Sequence, residues 1–253
     1  GFSKKISLFQ LNDHPKPKLM FNKNYPFFTS SSKYMINHFK NYSKWIKKNY
    51  FHKAKNIIEI GSNDGSFLKN FKSNKTNILG IEPSKNVASM AKRAGVNTIN
   101  KFFTSNTARQ LKRYKKKTNL ICAANAICHI PNLTDLIKGL DILLDKKGVF
   151  IFEEPYLGSM YEKTSYDQIY DEHIFMFSVS SVKKIFSRFG FELIDVAPQT
   201  THGGSMRYVI ARKDEYKIKR IVYQKLKYEK KHNIDSIKGC LRFKKECEKS
   251  KKL

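Results

Sequence analysis

Ile57-Ile58-Glu59-Ile60-Gly61-Ser62-Asn63-Asp64-Gly65 is an apolar run that empties into a turn bearing two glycines. A strand, such a turn and then an amphipathic helix together enclose a pocket of nucleotide size. Beyond Gly65 a second apolar run, Asn77-Ile78-Leu79-Gly80-Ile81, ends in Glu82. A carboxylate there can accept hydrogen bonds from both hydroxyls of a ribose. Asn63 stands where a dinucleotide fingerprint carries its middle glycine, and Asn tolerates left-handed backbone angles, so the turn survives the exchange.

The rest of the chain extends the same rhythm. Before the first strand, Tyr34, Met35, Phe39, Tyr42, Trp45 and Ile46 recur at three- and four-residue spacing, which predicts an amphipathic helix over 32–50 behind a Ser cap. After it, short apolar runs at 77–82, 96–99, 119–123 and 148–153 alternate with helical patterns at 84–94, 105–113 and 133–144. That alternation implies right-handed crossovers and a parallel sheet. A further helix is expected over 178–189, then strands at 191–197 and 206–212. No crossover helix fits between those two strands, so they must be antiparallel neighbours. The expected architecture is α/β: a Rossmann-like, seven-stranded, mostly parallel sheet with an antiparallel last strand and helices on both faces. Residues 1–31 read as an extended lead-in, 32–213 as the main domain, and 214–253 as a Lys-rich helical segment.

With 253 residues, 49 Lys and Arg against 21 Asp and Glu, the chain carries a formal charge of +28. The excess is mostly Lys, spread along the chain, whereas base-reading proteins lean on Arg forks. No specific nucleic acid is therefore expected, although such a field attracts anionic substrates. Cys122, Cys128, Cys240 and Cys247 form no C-x-x-C pair and have no His cluster at zinc spacing, so they read as reduced cytoplasmic thiols and no metal is expected. No run is long and apolar enough for a membrane span. The sequence assigns no oligomeric state.

S-adenosylmethionine suits the glycine turn better than a nicotinamide cofactor, whose pyrophosphate wants a glycine-rich helix start. The cofactor set is then Glu59, Gly61, Asn63, Asp64, Gly65 and Glu82, joined by Asn125 on the loop after the fourth strand. His129, on the same loop, is a further polar candidate. In Tyr170-Asp171-Glu172-His173 a phenol, two carboxylates and an imidazole crowd together: His173 can accept a proton near neutral pH, Glu172 can orient it, and Tyr170 can donate to a developing oxyanion. Glu154 and Tyr156 follow the fifth strand, and His202-Gly203-Gly204-Ser205 joins the last two, where glycines permit close approach to a ligand.

In order, Tyr25-Pro26-Phe27-Phe28-Thr29-Ser30-Ser31-Ser32, the glycine turn, Asn125 to Pro131, Tyr170-Asp171-Glu172-His173 and His202-Gly203-Gly204-Ser205 resemble the sugar C-methyltransferase family. Its members methylate carbon 3 of nucleotide-linked 4-keto-deoxysugars with S-adenosylmethionine. The resemblance implies His173 as the base, with Tyr170, Glu172 and Tyr25 around the substrate, and a nucleotide sugar as the small-molecule partner. Glu154, Tyr156, His202, Gly203 and Ser205 complete the expected substrate set. Family members usually begin with a cysteine-rich zinc module and end with a second nucleotide-binding-like domain. Neither is expected here, so the chain reads as a fragment truncated at both ends. Two rival readings are a methyltransferase acting on a small-molecule hydroxyl or on RNA, and an inactive cofactor-binding fragment.

Overall fold

The computed structural model describes residues 1–51 and 55–251, which form two compact units. Its strands are β1 (Phe2–Ser3), β2 (Leu8–Gln10), β3 (Asn56–Ile60), β4 (Asn77–Ile81), β5 (Thr98–Ile99), β6 (Thr118–Ala124), β7 (Leu144–Pro155), β8 (Phe175–Met176), β9 (Phe191–Gln199) and β10 (Ser205–Arg212). The helices are α1 (Pro17–Met20), α2 (Lys33–Tyr50), α3 (Lys85–Arg93), α4 (Ser105–Gln110), α5 (Leu133–Leu143), α6 (Leu157–Lys163), α7 (Val179–Ser187), α8 (Arg220–Lys231) and α9 (Ile237–Ser250).

The glycine-turn unit comprises 16–126 and 132–151. In it β4, β5 and β6 extend the sheet from β3 by parallel pairing, with Glu59 opposite both Gly80 and Cys122. That register ends three strands level, so the turn after β3, Glu82 after β4 and Asn125 after β6 share one sheet edge. The α2 helix starts where the Ser32 side chain accepts from the Met35 amide, and it buries Phe39, Tyr42 and Ile46 at the expected spacing. Tyr42 stacks on Phe67, ring centroids 4.8 Å apart.

One expected element is replaced. Instead of an amphipathic α-helix after Gly65, the chain makes only a 3-10 turn, Leu68–Phe71. The Thr76 hydroxyl donates to the Phe71 carbonyl and accepts from the Ser73 amide, turning the chain back toward β4 before a second helical turn forms. Leu68 and Phe71 still reach the core from this turn.

The histidine unit comprises 1–15, 127–131 and 152–253. Here β9 and β10 pair antiparallel, as expected, with a bulge between Val209 and Ile210. The strands of the seven-stranded sheet follow the order β5-β4-β3-β6-β7-β10-β9. The lead-in contains β1 and β2, and β2 pairs with β8 in a small second sheet. The Lys-rich segment folds as α8 and α9 and contributes Val222, Ile234 and Phe243 to the interior. Among the described residues no helix is long and apolar enough to cross a membrane.

Two buried carboxylates tie this unit together. Glu153 pairs with Arg207 at 2.7 Å, and its other oxygen accepts from the Thr201 hydroxyl. Glu229, on α8, accepts from the Val179 and Ser180 amides and from the Tyr156 hydroxyl at 2.7–2.9 Å. The Ser178 side chain accepts from the Ser181 amide, so three amides opening α7 are satisfied. Glu229→Ala orphans three buried donors at about 1–3 kcal/mol each, less whatever water recovers. The expected loss is about 3 kcal/mol, read as a lower urea midpoint; a midpoint unchanged from wild type refutes this role.

Candidate functional site

In the glycine-turn unit the turn is held open by backbone that favours glycine: φ is +67° at Gly61 and +77° at Gly65, and Asn63 adopts +47°. A methyl group on Gly61 would lie 2.5 Å from the Ala126 Cβ, so only glycine fits there. Glu82 is buried, its Oε2 accepting from the Asn63 amide at 2.9 Å and its Oε1 from the Ser84 amide at 2.8 Å. Each of these oxygens keeps a second lone pair for a ribose hydroxyl.

Glu59 is fully buried one strand away, and its Oε2 has no hydrogen-bond partner. Burial, followed by the charges of Glu82 and Asp64, raises its pKa well above the ordinary carboxylate range. Burial also raises Glu82. The Asp64 charge adds to the rise at both glutamates and the Glu82 charge adds to that at Glu59, so the pocket favours a cationic ligand. An adenosine carrying a sulfonium and an ammonium supplies the ribose and the positive charge that this pocket asks for. The residues fit S-adenosylmethionine.

The Asn63 and Asp64 side chains face another way. Asn63 Oδ1 accepts from the Thr29 amide and Nδ2 donates to the Phe27 carbonyl, while Asp64 Oδ2 accepts from the Ser30 amide at 2.7 Å. Asn86 Nδ2 donates to the Tyr25 carbonyl. The segment from Phe27 to Ser30 is thus strapped to the turn by the Asn63 and Asp64 side chains, which the sequence reading gave to the cofactor, while Asn86 of α3 fixes Tyr25. Asn125 also takes the left-handed conformation, φ +49°.

Asp64 carries a pH prediction. Burial pushes its carboxyl up, but hydrogen bonds from Ser30 and Ser66 outweigh burial and leave it below 3.8. A depressed pKa gives stability that is present above the unfolded value and is lost as pH falls through the folded one. Asp64→Asn should cost about 1–2 kcal/mol at pH 7. The gap from wild type should close as urea unfolding is repeated toward pH 3; a gap independent of pH refutes the assignment.

The histidine unit holds the acid-base cluster. His173 Nδ1 lies 2.9 Å from the Gln168 carbonyl, which can only accept, so Nδ1 carries the proton. Nε2 is then the acceptor, and the Tyr170 hydroxyl donates to it at 2.8 Å. Burial, then the neighbouring His129 and His202, pull the His173 pKa down to about 4 despite the Gln168 bond, so the ring is neutral at pH 7. His173 is 7% exposed and Tyr170 46%, so the phenol is the solvent-facing member of the pair. Burial raises the Tyr170 hydroxyl above its ordinary range.

What orients His173 is a backbone carbonyl that no side-chain motif announces. Glu172 acts through its own carbonyl, 2.6 Å from His129 Nδ1. His129 packs on His173 with ring centroids 5.2 Å apart. Glu154 is fully buried, and its Oε1 accepts from the Ile127 amide at 2.7 Å and the Cys128 amide at 3.3 Å, which fixes the loop that presents His129. Tyr156 is buried, with its hydroxyl on Glu229. His202 has φ +51°, and the Ser205 hydroxyl donates to the Thr201 carbonyl, within the turn that Thr201 anchors to Glu153. Glu229 and Arg207 were absent from the sequence reading because their roles need long-range pairing, hinted at only by their polarity inside apolar surroundings; Gln168, five residues from His173, acts through a backbone carbonyl that its residue type does not mark.

The sheet order and glycine turn define a class I methyltransferase fold. Residues 34–196 match the family model described as a methyltransferase domain, and the chain belongs to that family. It is an S-adenosylmethionine-dependent methyltransferase by class, with S-adenosylmethionine as its cofactor. The C-methyltransferase NovU of Streptomyces niveus is 31% identical over 150 residues, which are 59% of this chain and 36% of that protein. The chain thus matches about a third of the length of this curated relative. The PH0226 protein from Pyrococcus horikoshii OT3 superposes with a TM-score of 0.59 at 14% identity, covering 74% of this chain and 95% of that one. A SAM-dependent methyltransferase from Archaeoglobus fulgidus gives 0.57 at 15% identity, covering 70% and 94%.

Proposed function

We propose that the chain methylates carbon, at position 3 of a nucleotide-linked 4-keto-deoxysugar, with His173 as the terminal proton acceptor. The observation that carries this reading is the Gln168–His173–Tyr170 chain, which fixes one tautomer and leaves Nε2 as the only basic atom of the ring. A carbon beside a carbonyl becomes nucleophilic only after losing a proton, so carbon methylation needs such a base whereas oxygen methylation needs less. The similarity to a C-methyltransferase supports the same acceptor class.

Glu82 holds the ribose of the cofactor, and Glu59 faces its cationic end. When bound, S-adenosylmethionine supplies an electrophilic methyl group on a sulfonium. Tyr170 meets the substrate because it is the exposed member of the pair. As the carbon–hydrogen bond breaks, Tyr170 oxygen takes the proton and passes its own to His173 Nε2, and the bonding pair moves into the enolate. Neither a free phenolate nor a bare charge forms, because the imidazolium is created beside the enolate in a poorly solvated place. His129 and His202 stand around the same imidazole, where His202-Gly203-Gly204 offers donors to the sugar.

The test is incubation with S-adenosylmethionine and a panel of nucleotide 4-keto-sugars in heavy water, followed by magnetic resonance. Methylation and deuterium uptake at carbon 3 are expected. Methylation at oxygen alone, or no turnover on any ketone while hydroxyl acceptors react, overturns the reading.

A further inference from the structure

Among the described residues, Cys128, His129 and His173 bring one ligand atom each to within 4.8 Å of one another. Sequence spacing gave no sign of this, because His173 lies far along the chain from the other two. The arrangement goes beyond proximity. Each ring has its Nδ1 against a backbone carbonyl, Glu172 for His129 at 2.6 Å and Gln168 for His173 at 2.9 Å. A carbonyl can only accept, so both rings are held with Nδ1 protonated and Nε2 bearing the lone pair. That is the outer support which metal-binding histidines show, because it fixes the tautomer and raises the basicity of the other nitrogen. Two imidazoles and a thiol are also the donor set that selects a borderline-soft ion such as zinc over magnesium or calcium.

We infer that Cys128 Sγ, His129 Nε2 and His173 Nε2 form a binding site for a single zinc-class divalent ion. Zinc–sulfur bonds of about 2.3 Å and zinc–nitrogen bonds of about 2.0 Å place tetrahedral ligands roughly 3.5 Å apart, so the three side chains must close by about 1 Å. Cys128 and His129 sit on a single 3-10 turn, Ile127–His129, which keeps two of the donors together. Tyr170, half exposed, has room to leave Nε2, and solvent takes the fourth position. On binding, the Cys128 S–H bond breaks, its proton goes to solvent and the sulfur pair coordinates the metal. The ion occupies the Nε2 lone pair on which the proposed proton transfer depends, so zinc switches methyl transfer off. That last clause alone rests on the proposed function; the binding does not.

Cobalt(II) reports the site directly, because a thiolate ligand adds a near-ultraviolet charge-transfer band and tetrahedral geometry strengthens the visible bands. Titration of the chain should show both, at one ion per chain, and zinc should displace the cobalt. Cys128→Ala should remove the charge-transfer band and weaken zinc about 100-fold or more, since losing even an outer partner costs 10- to 100-fold. A Cys240→Ser/Cys247→Ser variant should keep the band. Metal-free Cys128→Ala should methylate like wild type and resist stoichiometric zinc. A wild-type chain without the band, or a band that survives in Cys128→Ala, overturns the metal site and leaves the proposed function standing. Zinc binding in a chain that methylates no ketone overturns the proposed function and keeps the site.

Discussion

His173→Asn should lower methyl transfer and carbon-3 proton exchange together, by about a thousandfold, within the 10²–10⁴ range for loss of a positioned base. The reason lies in which half of the ring Asn can imitate. Its amide can still donate to the Gln168 carbonyl, which now meets Nδ1 at 2.9 Å, so the loop keeps that anchor. It cannot place an acceptor under the Tyr170 hydroxyl. Exchange in heavy water without the methyl donor isolates the proton step, while cofactor affinity, measured separately, should not move. Tyr170→Phe separates relay from direct abstraction: through a relay it costs about a hundredfold, whereas direct abstraction by Nε2 leaves exchange at the wild-type rate. Wild-type exchange in His173→Asn removes the imidazole from the mechanism altogether.

Glu82→Ala should abolish measurable cofactor binding, a loss of about 100-fold or more. Two charge-assisted hydrogen bonds to ribose would account for it, at about 1.5–3 kcal/mol for a bond to a charged group. The same carboxylate accepts from the Asn63 and Ser84 amides, so the substitution also costs stability, about 2–4 kcal/mol for two orphaned donors. Glu82→Gln separates the two effects, because one carbonyl oxygen still serves an amide while the charge is gone. Calorimetric titration with S-adenosylmethionine and S-adenosylhomocysteine, with each variant's melting temperature recorded with and without ligand, measures both. Glu82→Ala that binds the cofactor as tightly as wild type would remove this residue from the pocket.

The fold was legible because its signals are local. Apolar runs of strand length alternate with 3.6-residue patterns, the Ser32 cap lies one residue before α2, and the short gap between β9 and β10 forces the antiparallel pair. The helix after Gly65 was misread because Leu68 and Phe71 fit both an α-helix and a single 3-10 turn, and Thr76 decides between them with a hydrogen bond to Phe71. At the site, glycines and carboxylates that follow strands could be placed from the strands themselves. What remained hidden depends on which lone pair meets which amide. Asn63 and Asp64 belong to the turn by sequence, yet their side chains hold Thr29 and Ser30. Gln168 enters as a carbonyl, which every residue has and no motif marks.

The ion pair between Glu153 and Arg207 sets how this chain can diverge. Neither side chain is more than 5% exposed, so replacing one alone breaks a buried ion pair, typically at 3–5 kcal/mol. Replacing both by apolar groups of similar volume can be nearly neutral. Descendants of this gene should therefore change the two positions in tandem or not at all, and a lineage with only one altered should carry a compensating cation or carboxylate beside Thr201.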